Sequence, residues 1–429
     1  MDETQRWQGR IERLGWGGVG VARAEDGRVI LLSAPLALFP GEQVEADVRW
    51  RARHGEGVVT AWVTRAARRA VAECSVAARC GGCDLWEGGD ETGELKRQMI
   101  GDLLHRSLRG VATPELQWLP APQWARRQRI QLHWDGARLG YHARGTHEIV
   151  TNDACLMAIS ELSSAIPLLR HALISGSLPG HPARWELACG TPRGDVAAVL
   201  EREGADPRCW RLRGAQWVET DEPLTHDVGG MPLQLHPASF AQACMAWAVE
   251  AFSQVFTAWE LSGEVLHDLY GGGGFFSVLL HKQFLRSELV ESDAFAAQDA
   301  RHNLARLAMV GRDSAPASAW RERSPAPPQR AGFTWDVHAA TVEQWLPERL
   351  GDLEDVIIVD PPRAGLSSTV IRRLATARAG RIVLVGCDGA NFCRDVQRLC
   401  GARRLTRLAA IDLFPNTVLV EFVALLDRA

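Results

Sequence analysis

D-L-Y-G-G-G-G-F-F-S, Asp268 to Ser277, closes an apolar run that starts at Val265 and hands the chain to four consecutive glycines. The run has strand character, and glycines at its end let a ligand approach the backbone where a helix begins. Strand-type runs recur downstream at Leu289–Glu291, Val356–Asp360, Ile382–Val385, Leu408–Leu413 and Val418–Val423. Helical patterns such as Ala294–Met309 and Ser367–Ala377 lie between most of them. The alternation predicts a doubly wound α/β sheet over 236–429, with ligands beyond the carboxyl ends of its strands. Only Phe414-Pro415-Asn416-Thr417 separates the last two runs. That is too short for a parallel crossover and predicts an antiparallel hairpin.

Upstream the pattern changes. A chain of 429 residues exceeds one compact core, so the expectation is a multidomain α/β protein. Residues 1–66 read as a small β-barrel module: Val29 to Leu32 and the alternating Val44, Ala46 and Val48 are separated by turns at Asp26-Gly27 and Pro40-Gly41. Between Arg49 and Arg69 six arginines face one acid, Glu56, with Trp50 and Trp62 interleaved. Such a mixture suits single-stranded nucleic acid, with arginine on phosphates and tryptophan on bases. Residues 67–235 form a central β-rich region, in which Ile130, Leu132 and Trp134 alternate with polar neighbours, and Trp124 to Arg129 make a second basic–aromatic patch. The proline-rich 312–332 reads as a flexible loop.

The net charge of −4 excludes a uniformly basic nucleic-acid binder and confines any RNA contact to local patches. No apolar run reaches membrane-spanning length, and the polar start is unlike a signal peptide, so a cytoplasmic protein without a membrane partner is expected.

The chemistry gathers at strand ends. Glu291 stands about twenty residues beyond the glycines, an acid able to grip ribose hydroxyls. If Gly271 and Gly273 open a dinucleotide fingerprint, its third glycine falls on Phe276, which disfavours NAD. S-adenosylmethionine, which carries no phosphate, fits the loop and the carboxylate. Asp360-Pro361-Pro362 would give a stiff platform beside a cofactor's reactive group. In R-I-V-L-V-G-C-D-G-A-N-F-C-R-D-V-Q-R, Arg381 to Arg398, a strand delivers Cys387 just before a helix capped by Asp388 or Asn391. A thiol so placed is expected to have its pKa pulled below the free value of ~8.5. The plainer alternative is a small buried hydrophobe.

Three further cysteines cluster as Cys74-x5-Cys80-Gly81-Gly82-Cys83, with Cys155 a remote fourth. Thiolates this close call for a cation, and the spacing leaves zinc and iron–sulfur both open.

Together these motifs resemble the RNA (uracil-5-)-methyltransferase family, in the form with an N-terminal TRAM domain and an iron–sulfur cluster. The likeness takes in C-x5-C-G-G-C, Ser239-Phe240-Ala241-Gln242, D-L-Y-G-G-G-G, V-D-P-P-R-A-G-L and the closing D-L-F-P-N-T-V-L-V-E-F-V-A-L-L. It implies a TRAM/OB-like barrel, a class I S-adenosylmethionine-methyltransferase sheet, and a [4Fe–4S] cluster on Cys74, Cys80, Cys83 and Cys155. It places Gln242, Tyr270, Gly272, Glu291 and Asp360 at the cofactor, Cys387 as nucleophile and Glu421 as base. The implied substrate is RNA, 23S rRNA ahead of tRNA, and the implied state a monomer. A non-catalytic RNA-binding or ribosome assembly factor is the alternative. Four positions depart from the family pattern: Phe275 where asparagine is usual, Gly386 for serine, Gly389 for proline, and Cys393 for a small residue.

Overall fold

The computed structural model describes residues 4–67, 69–122, 126–190, 194–201, 206–313, 333–346 and 350–428. Its first sheet has six strands, with Thr4–Arg10 and Arg13–Leu14 at the edges and Gln43–Trp50, His54–Thr64, Val29–Ser33 and Gly20–Arg23 between them in that order. Strict alternation along Gln43–Trp50 sends Val44, Ala46 and Val48 inward to meet Ile11, Ile30 and Leu32. Part of the expected basic–aromatic patch belongs to the fold instead. Arg69 is buried in ion pairs with Glu42 and Glu87, and Trp62 Nε1 donates to Glu42. Trp50 does carry a guanidinium, that of Arg28, 4.0 Å from its ring centre.

A seven-stranded antiparallel sheet follows, from Ile149–Thr151 at one edge to Gln216–Glu219 at the other. The helix Ser160–Ile174 covers one face, packing Leu162, Ile166 and Leu169 on Ile130, Leu132 and Trp185. The opposite face carries Arg129, Gln131, His133 and Glu186 and is left polar. The second basic–aromatic patch begins at Trp124, outside the described residues.

The last sheet has eight strands in the order Thr334–Ala339, Arg286–Glu291, Val265–Leu269, Val356–Val359, Arg381–Gly386, Glu421–Arg428, Arg403–Ile411 and Leu116–Leu119. The first five are mutually parallel, and their near-continuous apolar sequences fit burial on both faces. Arg403–Ile411 and Glu421–Arg428 pair antiparallel, as their short connection requires. The final strand starts at Glu421, three residues later than the apolar run, so Glu421 heads the strand. The outermost strand, Leu116–Leu119, arrives from far upstream and has no pattern of its own that marks it. The proline-rich stretch lies outside the described residues from 314 onward. Among the described residues, no helix is long and apolar enough to cross a membrane.

Candidate active site

The glycine loop is held from three sides. Tyr270 ends its strand with φ of 60°, a left-handed conformation that costs energy for a non-glycine residue and clusters at functional sites. Gly272, at φ 53°, would carry a Cβ into open space, whereas a Cβ on Gly273 would collide with Leu235. Gly273 is thus fixed by packing and Gly272 faces the cavity. Glu291 Oε2 accepts the Gly272 N–H at 3.0 Å and Oε1 accepts the Asp293 N–H at 2.7 Å. Asp268, fully buried, accepts from the N–H and Oγ of Ser277, and burial pushes its carboxyl up to about 7. Phe275 is half-buried and packs edge-on to Phe252 and Phe276. The departure there serves the core.

Gln242 lies in a loop whose backbone is tied to the central sheet and to the helix Ala294–Asp313. Arg129 donates to the carbonyls of Ser239 at 2.6 Å and Pro237 at 2.5 Å while paired with Glu186. Asp299 Oδ2 accepts from Ser239 Oγ at 2.6 Å and from the His236 N–H at 2.8 Å. Neither Arg129 nor Asp299 was identifiable as a positioning residue from sequence, because each acts through backbone groups distant in the chain.

Cys387 follows the Arg381–Gly386 strand, and Asp388 caps the helix Gly389–Leu399 through the Asn391 N–H at 2.8 Å. The D-P-P-R-A-G-L loop is braced against that helix. Asn391 donates to the Arg363 carbonyl at 2.8 Å, and buried Asp395 accepts the Leu366 N–H at 2.7 Å. Gly389 has a reason in packing, since a Cβ there would meet Leu103, Trp16 and Phe422 within 3.0 Å. Cys393 is a core residue, 1% exposed among the apolar side chains beneath the sheet.

The expected lowering of the Cys387 pKa is overturned. Burial, then the charges of Glu421 and Asp360, push the thiol up to about 11. Arg363 opposes this by its charge and a hydrogen bond but does not offset burial and the two acids. Glu421 is itself raised well above the ordinary carboxylate range by burial and by Asp360, with Arg363 again opposing. Burial also raises Asp360, helped by Asp268. Thiol, two carboxyls and one guanidinium therefore share a single electrostatic environment.

One cavity of about 1460 Å³ collects these groups. Its walls include Gln242, Tyr270, Gly272, Glu291 and Asp360, together with Cys387 and Glu421. All seven residues singled out for cofactor and catalysis in the sequence meet there.

The four clustered cysteines also converge. Cys83 feels the charges of Cys155, Cys80 and Cys74, with Arg127 the opposing cation. Cys80 bridges to Ala143, and the Arg144 guanidinium donates to the Cys83 carbonyl at 2.6 Å. A second thiol set, Cys209, Asp221 and His236, has ligand atoms within 4.8 Å of one another. There His236 Nδ1 accepts the Ala238 N–H at 3.2 Å. The ring proton then sits on Nε2, which faces Asp221 as a donor and has no lone pair for a cation.

Residues 349–429 match the family model described as tRNA (Uracil-5-)-methyltransferase. Over 464 residues the chain is 29% identical to the 23S rRNA (uracil(1939)-C(5))-methyltransferase RlmD of Halomonas elongata, covering 97% of this chain and 89% of that protein. It is 30% identical over 442 residues to an RNA methyltransferase of Corynebacterium efficiens, covering 97% and 94%. The fold is like that of the Pyrococcus abyssi tRNA (uracil-54, C5)-methyltransferase, solved with S-adenosyl-L-homocysteine. That likeness has a TM-score of 0.69 and 22% identity and covers 98% of this chain and 100% of the other.

Proposed function

This chain belongs to the RNA (uracil-5-)-methyltransferase family, and we propose that it methylates C5 of one uridine in RNA, 23S rRNA ahead of tRNA. The observation that carries the reading is the opposition of Cys387 and Glu421 in the cavity that the glycine loop lines. The 23S rRNA substrate in the name of the Halomonas relative favours ribosomal RNA.

Gln242, Tyr270, Gly272, Glu291 and Asp360 would hold S-adenosylmethionine; the open Gly272 position and the Glu291 carboxylate beside it suit its ribose and methionine ends. When bound, S-adenosylmethionine supplies an electrophilic methyl group. Uracil C5 is too electron-poor to take it unaided. Cys387 loses its proton to Asp360, which leaves Glu421 ionised for the later step, and adds to C6, which makes C5 an enolate carbon. After the methyl group is on C5, Glu421 removes the C5 proton, the C5–C6 double bond re-forms and the Cys387 thiolate leaves. The raised pKa of Glu421 suits a base that must take a carbon-bound proton. Arg363, which touches the thiol, steadies the anionic sulfur.

Cys74, Cys80, Cys83 and Cys155 would hold a [4Fe–4S] cluster. The four thiols lie near enough to feel one another's charge, and four thiolates are the donor set that such a cluster takes. The cluster is architectural, clamping 67–235 to the TRAM-like barrel of 1–66 and the catalytic domain of 236–429. Iron and acid-labile sulfide at four each per chain would support it, and stoichiometric zinc would refute it. The enzyme would work as a monomer in the cytoplasm, with the barrel as an RNA contact.

The non-catalytic alternative is weakened, because Phe275, half-buried, packs edge-on to Phe252 and Phe276 against the core. The deciding test is methyl transfer from labelled S-adenosylmethionine to in vitro transcribed 23S rRNA and tRNA, with the modified base mapped by mass spectrometry. Failure on both would sink the reading.

A further inference from the structure

The cavity is larger than its known duties require. Small-molecule and cofactor sites span about 300–1,000 Å³, and this one measures about 1460 Å³. The surplus reaches the polar face of the central sheet, where His133 and His142 line the wall. Their rings stack face to face, with centroids 3.6 Å apart and planes inclined by 17°. His147 stands edge-on to His142 at 5.2 Å.

This stack is no part of a core. His133 pairs with Gly140, so His142 is its diagonal neighbour on the same face, a distance that aromatic side chains can bridge. Both rings are half-exposed, and neither joins the apolar cluster on the sheet's other side. The His142 carbonyl accepts the Gly81 N–H at 2.9 Å, which ties the platform to the cysteine loop. Cations flank it: Arg127 and Arg129 line the same wall.

We infer that the His133–His142 stack is a binding site for a nucleobase of the substrate RNA, one that flanks the target uridine. The inference rests on the RNA-methyltransferase reading and deepens it. A uridine that leaves its stack to reach Cys387 strips its neighbours of a stacking partner. An aromatic surface in the same cavity restores that contact for one of them, and stacking accepts any base because every base has a π-face.

The test compares His133→Ala, His142→Ala and His142→Phe with the wild-type protein, its metal centre intact, on in vitro transcribed 23S rRNA. Each alanine variant should raise KM for RNA about tenfold. It should leave kcat within about twofold and the KM for S-adenosylmethionine unchanged. His142→Phe should return the RNA KM to near wild type, which a merely structural histidine would not predict. Unchanged RNA KM in both alanine variants overturns the inference. So does a phenylalanine variant no better than alanine, or a loss that falls on kcat and cofactor KM as well. A wild-type protein that transfers no methyl group to rRNA or tRNA defeats the functional reading first, and this inference with it.

Discussion

Cys387 and Glu421 face each other one position beyond the rung in which Gly386 pairs with Phe422. One residue ends a parallel strand and the other begins the antiparallel strand beside it, so the sheet itself sets their separation. That arrangement puts the proposed nucleophile and the proposed base at the same end of the sheet, beyond the carboxyl ends of its parallel strands, where ligands of doubly wound folds bind.

Glu421→Gln should therefore separate the two halves of the reaction. The thiol still adds to C6 and C5 is still methylated, but the C5 proton has no acceptor. Turnover should fall by about 10²–10⁴-fold, and a covalent protein–RNA species should accumulate on a denaturing gel. Cys387→Ala should show neither turnover nor adduct, while Cys393→Ala should keep both. A Glu421→Gln variant that turns over at the wild-type rate would remove this residue from the mechanism.

The pH dependence has a definite sign. With its pKa pushed up to about 11, Cys387 is a thiol in the free enzyme at neutral pH, and its thiolate fraction grows with pH. The raised carboxyls of Glu421 and Asp360 work in the same direction, since each must be ionised to accept a proton. The kcat/KM for RNA, which reports free-enzyme ionisations, should still be rising at pH 9. Arg363→Gln removes a cation that opposes the shift, so the whole profile should move to higher pH. A plateau from pH 7 upward would show that the thiolate is already formed.

Glu291 tests the cofactor side. Its carboxylate accepts the backbone N–H of Gly272 and of Asp293, so it shapes the loop as well as facing the cavity. Glu291→Ala leaves those donors without their partner, at about 1–3 kcal/mol for each that stays dry. Calorimetry should find S-adenosylmethionine affinity reduced by about tenfold or more, with RNA binding at low salt retained. Unaltered cofactor affinity would take Glu291 out of the site.

How far the sequence revealed this site depends on the kind of interaction. Cys387, Glu291 and the glycines were legible because strand ends and turns have local signatures. The antiparallel close was legible from the length of one connection. The direction of the Cys387 pKa was not, because the acids that raise it come from strands separated in sequence. Gly389 departs from the family pattern because Trp16, in the turn between the strands Arg13–Leu14 and Gly20–Arg23, packs against it. Arg129 and Asp299 hold the Gln242 loop through its backbone, and no side-chain pattern announces that. The strand Leu116–Leu119 pairs only with Arg403–Ile411, nearly three hundred residues away, by a register that local sequence does not encode.

A buried pair outside the cavity holds the turn that leads into the strand headed by Glu421. Lys96, on the helix Thr92–Ser107, donates to Asp412 Oδ1 at 2.5 Å and to the Phe414 carbonyl at 3.0 Å. Trp247 Nε1 donates to the Asp412 carbonyl at 3.0 Å, so two elements grip the turn that leads into the last strand. Burial pulls Lys96 down and pushes Asp412 up, and each offsets the other's desolvation only while both are present. Lys96→Met should leave Asp412 buried without its cation and cost about 3–5 kcal/mol, seen as a lower denaturation midpoint. Adding Asp412→Asn removes the stranded charge and keeps an acceptor for the Phe414 N–H, so most of that loss should return. If the turn also aims Glu421, the single variant should show reduced kcat below its melting range, with the adduct species of Glu421→Gln appearing in part. A single variant as stable as wild type would mean that the pair contributes nothing to holding this turn.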